Sequence, residues 1–400
     1  MARTRESRAG GLDGPVLLLG ALPPVILAVV FWRGAAQAAD PILRDAYLVR
    51  DVLNFWLAST LARAGHIATV FDPAAFWTAA KAMFGQELAL RTWSYPPPML
   101  LITMPLSLLP MIPAYVAWNA AGAAMLWLGA RAAGLSPAIS FLAVTSPAAL
   151  ESILAGQNGL VCAALALPGF ILLDRRPWLA GALLGTLVVK PQMAALVPVC
   201  LLASRNWRAS AAAVLTAASL LAASALAFGW TGWAGFVNAV LPFMRHERLE
   251  AAWLAGSYQP MMATPFIAAR WAGASLAAAY GLQALSAAVA VLSCWRAWRD
   301  PKPDAPRPDV LGRAALTLAL TFLVTPYGYC YDLPALSAAL IALAARDGRW
   351  LGRARGLFAV AWVVPGLGTW LGVLGLPPLG LAAVVSAAAL AAPRCILDAG

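Results

Sequence analysis

Long apolar runs, separated by short polar or basic segments, dominate the chain. The runs at 16–32 and 209–228 each approach the ~20 residues a helix needs to cross a bilayer core. Further apolar segments fall at 97–112, 113–131, 137–150, 158–173 and 179–203, and then at 271–298, 310–325, 333–345, 356–372 and 375–392. By the length rule this predicts about ten to twelve crossings. No segment alternates apolar and polar residues as a membrane barrel strand would. The pattern predicts an all-α, polytopic transmembrane helical bundle, with residues 1–400 forming one integral membrane domain. The run at 16–32 lacks a small-residue cleavage site after a short apolar core, so it reads as a retained first span.

Two longer stretches interrupt the oil, 33–95 and 229–265, and both are placed on the outer side. Within the first, "VLNFWLASTLARAG" has helical apolar spacing with Gly65 as its stop, and "PAAFWTAAKAMFG" starts at a proline and ends at Gly85. Both read as amphipathic helices lying along the membrane surface. Going from an outer Tyr95 to an inner Arg175 needs an odd number of crossings, yet four apolar segments lie between. One of them must be short, broken or re-entrant, and 97–112 and 137–150 are the candidates. The 179–203 segment is broken by "KPQ" at 190–192, which predicts a helical pair dipping into the membrane. Irregular backbone at that depth must be buried or line a wet cavity.

Composition strengthens the membrane reading. Of 400 residues, 62% are hydrophobic and 11% charged, with mean hydropathy +0.76. Soluble proteins carry about 25% charged residues. The net charge of +11 comes from basic clusters between apolar runs: Arg3, Arg5 and Arg8, then "DRRPW", "RNWR", "RAWRDPKPDAPRP" and "RDGRWLGRAR". These set orientation and belong in the cytoplasm. No basic face interleaved with aromatics points to nucleic acid. Cys162, Cys200, Cys294, Cys330 and Cys395 show no metal spacing and read as small buried hydrophobes.

Polar residues inside apolar runs are the candidate chemistry, and an ionisable one costs about 2.5–3.5 kcal/mol to insert. Lys190 has two readings. It snorkels or pairs with a buried carboxylate, or it faces a wet cavity and binds a phosphate. In "ALESILAGQNG", Glu151 reads as part of an ordinary turn and Gln157 as a functional candidate. "WSYPPP" fixes an extended backbone before an apolar run; Trp93 and Tyr95 suit a membrane interface or the face of a sugar. "VTPYGYCYDLP" brings Tyr331 and Asp332 to another turn, with Asp332 either capping the next helix or serving a site. His66 and His246 read as solvated residues.

Taken in order, these pieces resemble glycosyltransferase family 87 of the GT-C superfamily, some members of which use polyprenol-phosphate-mannose. The resemblance rests on Asp51 with Phe55 and Trp56, Gly65, "FDP" at 71–73, "SYPPPMLLITMPLSLLP", "AYVAWN", "AGQNG", "GALLGTLVVKPQ" and "TPYGYCYDL". It covers about residues 45–340. Valine follows Asp51 where phenylalanine is common, and Tyr331 occupies the region where some relatives carry histidine.

The resemblance implies a glycosyltransferase in the inner (plasma) membrane with its site on the extracytoplasmic face. A polyprenyl-phosphate sugar would donate a mannose-like hexose or pentose, with inversion, to a glycan or glycolipid acceptor. No metal or further cofactor is expected, and the other partners are membrane lipids. Lys190 or Arg91 would meet the phosphate, with Gln157, Tyr95, Tyr331 and Asp332 as further substrate-binding candidates. Asp51 is assigned as the general base. Asp40 and Asp72 precede prolines and read as turn or cap residues, and Asp45 lies off the face of Asp51. A transporter or flippase for lipid-linked sugars is the alternative; it needs a charged cavity but no base.

Overall fold

The computed structural model describes residues 14–37, 40–251, 258–299, 309–347 and 354–392. Arg3, Arg5, Arg8, Cys395 and most of the basic segments 296–308 and 346–355 lie outside the described residues. The described chain is a helical bundle; its only β feature is a single bridge between Met262 and Tyr329.

One start signal recurs. Asp40, Asp72, Ser136, Ser146 and Thr264 each accept hydrogen bonds from first-turn backbone amides, and each is followed by proline. The side-chain oxygen satisfies an orphan N–H, while proline lacks the N–H that would go unpaired there. These caps use up Asp40 and Asp72, as expected, while Asp45 pairs with Arg44 at 3.2 Å.

Among the described residues, four helices are long and apolar enough to cross a membrane: Gly14–Gly34, Met111–Ala132, Trp207–Glu250 and Leu276–Trp298. Their apolar side chains stand largely exposed, as at Leu18, Leu215, Leu226, Leu285 and Leu292. Such faces suit lipid rather than water. The pair Pro137–Val144 and Pro147–Ala155, bent by 43°, makes a fifth candidate span. Seven shorter apolar helices of 10–17 residues complete the set. The bundle's centre holds Gly159–Ile171, Val310–Val324 and Pro334–Asp347, buried on nearly all faces.

The segments expected to be broken are broken. The Pro97 helix turns into a 3-10 turn at Met104, and the 177–203 segment splits on either side of Lys190. Helix Pro177–Thr186 packs closely on Trp207–Gly235, because Gly181 and Gly185 leave no Cβ against the Ala209 and Ala213 backbone.

The stretch 33–95 carries the two expected helices, Val52–Arg63 and Pro73–Phe84. The first is not a surface float: Val52, Leu53, Phe55, Leu57, Ala58 and Ser59 are all buried, so it packs into the bundle. The described residues of the stretch 229–265 are mostly helical. The helix from Trp207 passes a break at Gly229 (φ 67°, ψ 179°) and continues to Glu250 through π-helical turns. Glu151 is not in a turn. It lies buried on helix Pro147–Ala155, where one carboxylate oxygen accepts from the backbone N–H (2.6 Å) and the hydroxyl of Thr369.

Candidate active site

Five separate segments meet at one small cavity of about 60 Å³. They are the start of helix Val52–Arg63, the extended strap 90–95, the turn at 156–158, the break at Lys190, and the 329–332 turn. The end of the long helix, at Met244 and Arg248, and Tyr258 close the wall.

The turn 156–158 is the hub. Gly156 ends helix Pro147–Ala155 in the left-handed conformation, φ 68°. A Cβ there would meet Val49 O at 2.7 Å and Asp51 N at 3.0 Å. Glycine therefore lets the two backbones touch, and the Asp51 N–H donates to Ala155 O at 3.1 Å. Gly159 allows the same closeness to the Tyr331 backbone. Between the glycines, Gln157 and Asn158 project toward opposite partners. Gln157 Nε2 donates to Asp51 Oδ2 at 2.5 Å, Tyr95 OH donates to Gln157 Oε1 at 2.8 Å, and Trp118 Nε1 donates to Gln157 O at 3.1 Å. Asn158 Oδ1 accepts from Lys190 Nζ at 2.7 Å.

Asp51 sits at the N-cap position of helix Val52–Arg63 but makes no side-chain cap bond. A carboxylate merely starting a helix would spend itself on first-turn amides. This one is turned into the cavity and oriented by Gln157. Beneath it Phe55 packs on Tyr95 (5.4 Å) and Trp118 (5.1 Å), a tilted aromatic cluster that also takes in Trp93.

Lys190 is 2% exposed and pairs with the equally buried Asp332 at 2.5 Å. Its ammonium lies 5.6 Å from the Tyr331 ring and 6.0 Å from the Tyr95 ring. Burial raises the Asp332 carboxyl above the usual range, and Lys190 opposes that rise. The pair is neutral as a unit, whichever partner holds the proton. Tyr329 and Tyr331 stack at 4.8 Å and 6°. Burial pushes the Tyr329 hydroxyl up to about 12 and the Tyr331 and Tyr95 hydroxyls well above the ordinary phenol value. All three tyrosines stay protonated and can donate hydrogen bonds at neutral pH.

Of the residues singled out from sequence, Asp51, Gln157, Tyr95, Lys190 and Tyr331 line this cavity. Asp332 is not on its wall and pairs with Lys190 at 2.5 Å. Arg91 is not on the wall. In the strap Leu90, Thr92 and Ser94 face the cavity, while Arg91 and Trp93 between them do not. Alternate residues of an extended chain point to opposite sides. Arg91 is buried, and its Nη1 donates to Leu90 O at 3.2 Å.

Sequence reasoning missed Asn54, Gln192, Tyr258 and Arg248, all on the wall. Asn54 was legible three residues after Asp51, on the same helix face. Gln192 sits in the "KPQ" break. Arg248 gave no local signal, because "RHERLE" reads as a solvated charge cluster.

The sequence matches the family model of glycosyltransferase family 87 over residues 93–326, more than half of the chain. The match includes Tyr95, Gln157, Lys190 and Arg248, while Asp51, Tyr331 and Asp332 fall outside it. No curated protein and no solved structure matches the chain significantly.

Proposed function

The chain belongs to glycosyltransferase family 87, and from that premise we propose that this membrane glycosyltransferase uses a polyprenyl-phosphate sugar with Asp51 as general base. The observation that carries the reading is the Asp51 carboxylate. It is spared from capping, oriented by Gln157, and set in a cavity that also holds Lys190 and three protonated tyrosines.

In the proposed reaction the acceptor hydroxyl oxygen attacks the anomeric carbon. The bond from that carbon to the phosphate oxygen breaks, and its electron pair stays on the phosphate. The hydroxyl proton passes to Asp51. Attack opposite the leaving group inverts the anomeric configuration. A neutral hydroxyl is a poor nucleophile, so a positioned base matters, typically by about 10²–10⁴ in rate. Lys190 has given one N–H each to Asn158 and Asp332, and its third is left for the departing phosphate. Tyr329 and Tyr331 offer hydroxyl donors to a sugar, and Tyr95, whose O–H is given to Gln157, offers its ring face. Lipid-facing helices around the cavity suit a donor whose tail stays in the bilayer. We place the acceptor, a glycan or glycolipid, and the site on the extracytoplasmic face of the inner membrane.

Asp51→Asn tests the reading. The amide keeps the shape and can still accept from Gln157, but it cannot take the proton. In proteoliposomes supplied with radiolabelled polyprenyl-phosphate sugars, transfer should fall about 10²–10⁴-fold while donor binding persists. Transfer near the wild-type rate would remove Asp51 as the base. Movement of unaltered lipid-linked sugar across the vesicle membrane, with no transfer, would mark a flippase instead.

A further inference from the structure

The cavity contains a second cation that the reaction scheme above leaves unused. Arg248 lines the same cavity as Lys190, near the end of the helix that begins at Trp207. Its Nε is buried without a hydrogen-bond partner. Its guanidinium lies over the Tyr258 ring, 4.4 Å from the centroid, which fixes the plane of the fork. Neither acidic neighbour in sequence pairs with it: Glu247 forms no salt bridge among the described residues, and Glu250 pairs with Arg245 at 3.1 Å and accepts from Tyr280 OH at 3.2 Å. Arg248 is delivered by a π-helical turn, His246–Glu250, a distortion often found at functional sites.

The two cations of the cavity therefore differ. The charge of Lys190 is balanced by Asp332 at 2.5 Å. Arg248 makes no ion pair with a carboxylate among the described residues. A buried donor without a partner costs free energy unless a ligand satisfies it. A rigid guanidinium fork matches the oxygens of a phosphate. We propose that Arg248 is the principal phosphate-binding side chain of this cavity, taking the phosphate group of a lipid-phosphate ligand through its free N–H donors.

The proposal rests on the donor class inferred above. Under it, Arg248 holds the phosphate oxygen that receives the electron pair when the anomeric bond breaks, and Lys190, its charge balanced by Asp332, adds its third N–H as a secondary contact. The competing reading is that Arg248 serves only as a counter-charge across the cavity from Asp51.

The test measures binding of undecaprenyl phosphate to the full chain in detergent micelles, by quenching of tryptophan fluorescence, with inorganic phosphate as a second probe. Wild type should bind the lipid phosphate. Arg248→Gln should bind it about 10–100-fold more weakly, the size of a lost charge-assisted contact. Asp51→Asn should bind at least as tightly as wild type, since it removes a negative charge from the cavity. Competition by millimolar inorganic phosphate in wild type would show that the headgroup alone is recognised; binding confined to the lipid would show that the tail is also required, and in both cases the Arg248→Gln loss must persist. Equal binding by Arg248→Gln and wild type overturns the proposal and leaves Arg248 as a counter-charge to Asp51. Failure of wild type to bind either probe overturns the donor class and the proposal together. If Arg248→Gln does not elute as a folded monodisperse species, Arg248→Lys carries the test. Its point charge should bind about tenfold more weakly, and unchanged binding overturns the proposal.

Discussion

Removing the Lys190 ammonium while Asp332 remains should destabilise the protein in a pH-dependent way. In Lys190→Met the Asp332 carboxylate keeps its place, with a side chain that is fully buried. Its remaining contact is one long hydrogen bond from the Tyr329 backbone N–H at 3.4 Å. Breaking a buried pair by deleting one partner typically costs about 3–5 kcal/mol, because an uncompensated charge is left inside. Solvent screening gives no relief at this burial. Protonation of Asp332 does, and that fixes the sign. Burial already raises this carboxyl in the folded state and Lys190 holds it down, so loss of Lys190 raises it further. A folded-state pKa above the unfolded value makes the folded state bind more protons. Its stabilising effect is complete below the unfolded pKa and is lost as pH rises through the folded one. Lys190→Met should therefore approach wild-type stability in mild acid and lose up to about 1.4 kcal/mol per pH unit above the ordinary carboxylate range. The double variant Lys190→Met/Asp332→Leu has no buried charge and should recover most of the loss with no such slope. The assay is denaturant unfolding in micelles, followed by tryptophan fluorescence from pH 5 to pH 8. A single variant as stable as wild type throughout, or a double variant no better than the single, would refute the buried pair.

Two further outcomes are expected. Gly156→Ala places a methyl group against the backbone of Val49, Val52 and Asp51 and forces a left-handed alanine; the cost should be about 1–3 kcal/mol, read by the same unfolding assay, and wild-type stability would show that the turn yields. A cysteine introduced at Ala68, an exposed residue beyond helix Val52–Arg63, should react with a membrane-impermeant maleimide in intact cells; labelling only by a permeant reagent would put the 33–95 stretch on the cytoplasmic side.

The sequence by itself determined what depends on neighbours along the chain. Oil content and run length set the membrane class, because a bilayer rewards apolar helices whatever their packing. Proline behind aspartate, serine or threonine set the helix starts, because capping is settled within one turn. The break at "KPQ" was readable for the same reason. The glycines of "AGQNG" could be seen to form a turn, but not what they would be pressed against.

Only the tertiary structure decided who meets whom. Gln157 orients an aspartate 106 residues away, and Lys190 finds its carboxylate 142 residues away. No local pattern encodes such pairings, since they follow from the packing of whole helices. Arg91 is absent from the cavity wall while Leu90, Thr92 and Ser94 line it, a one-residue alternation along the strap that sends neighbouring side chains to opposite sides. Arg248 was invisible because the helix carrying it runs on past Gly229, where the sequence reads as loop. Length and distortion in that helix, not its composition, bring a guanidinium into the cavity that Asp51 faces.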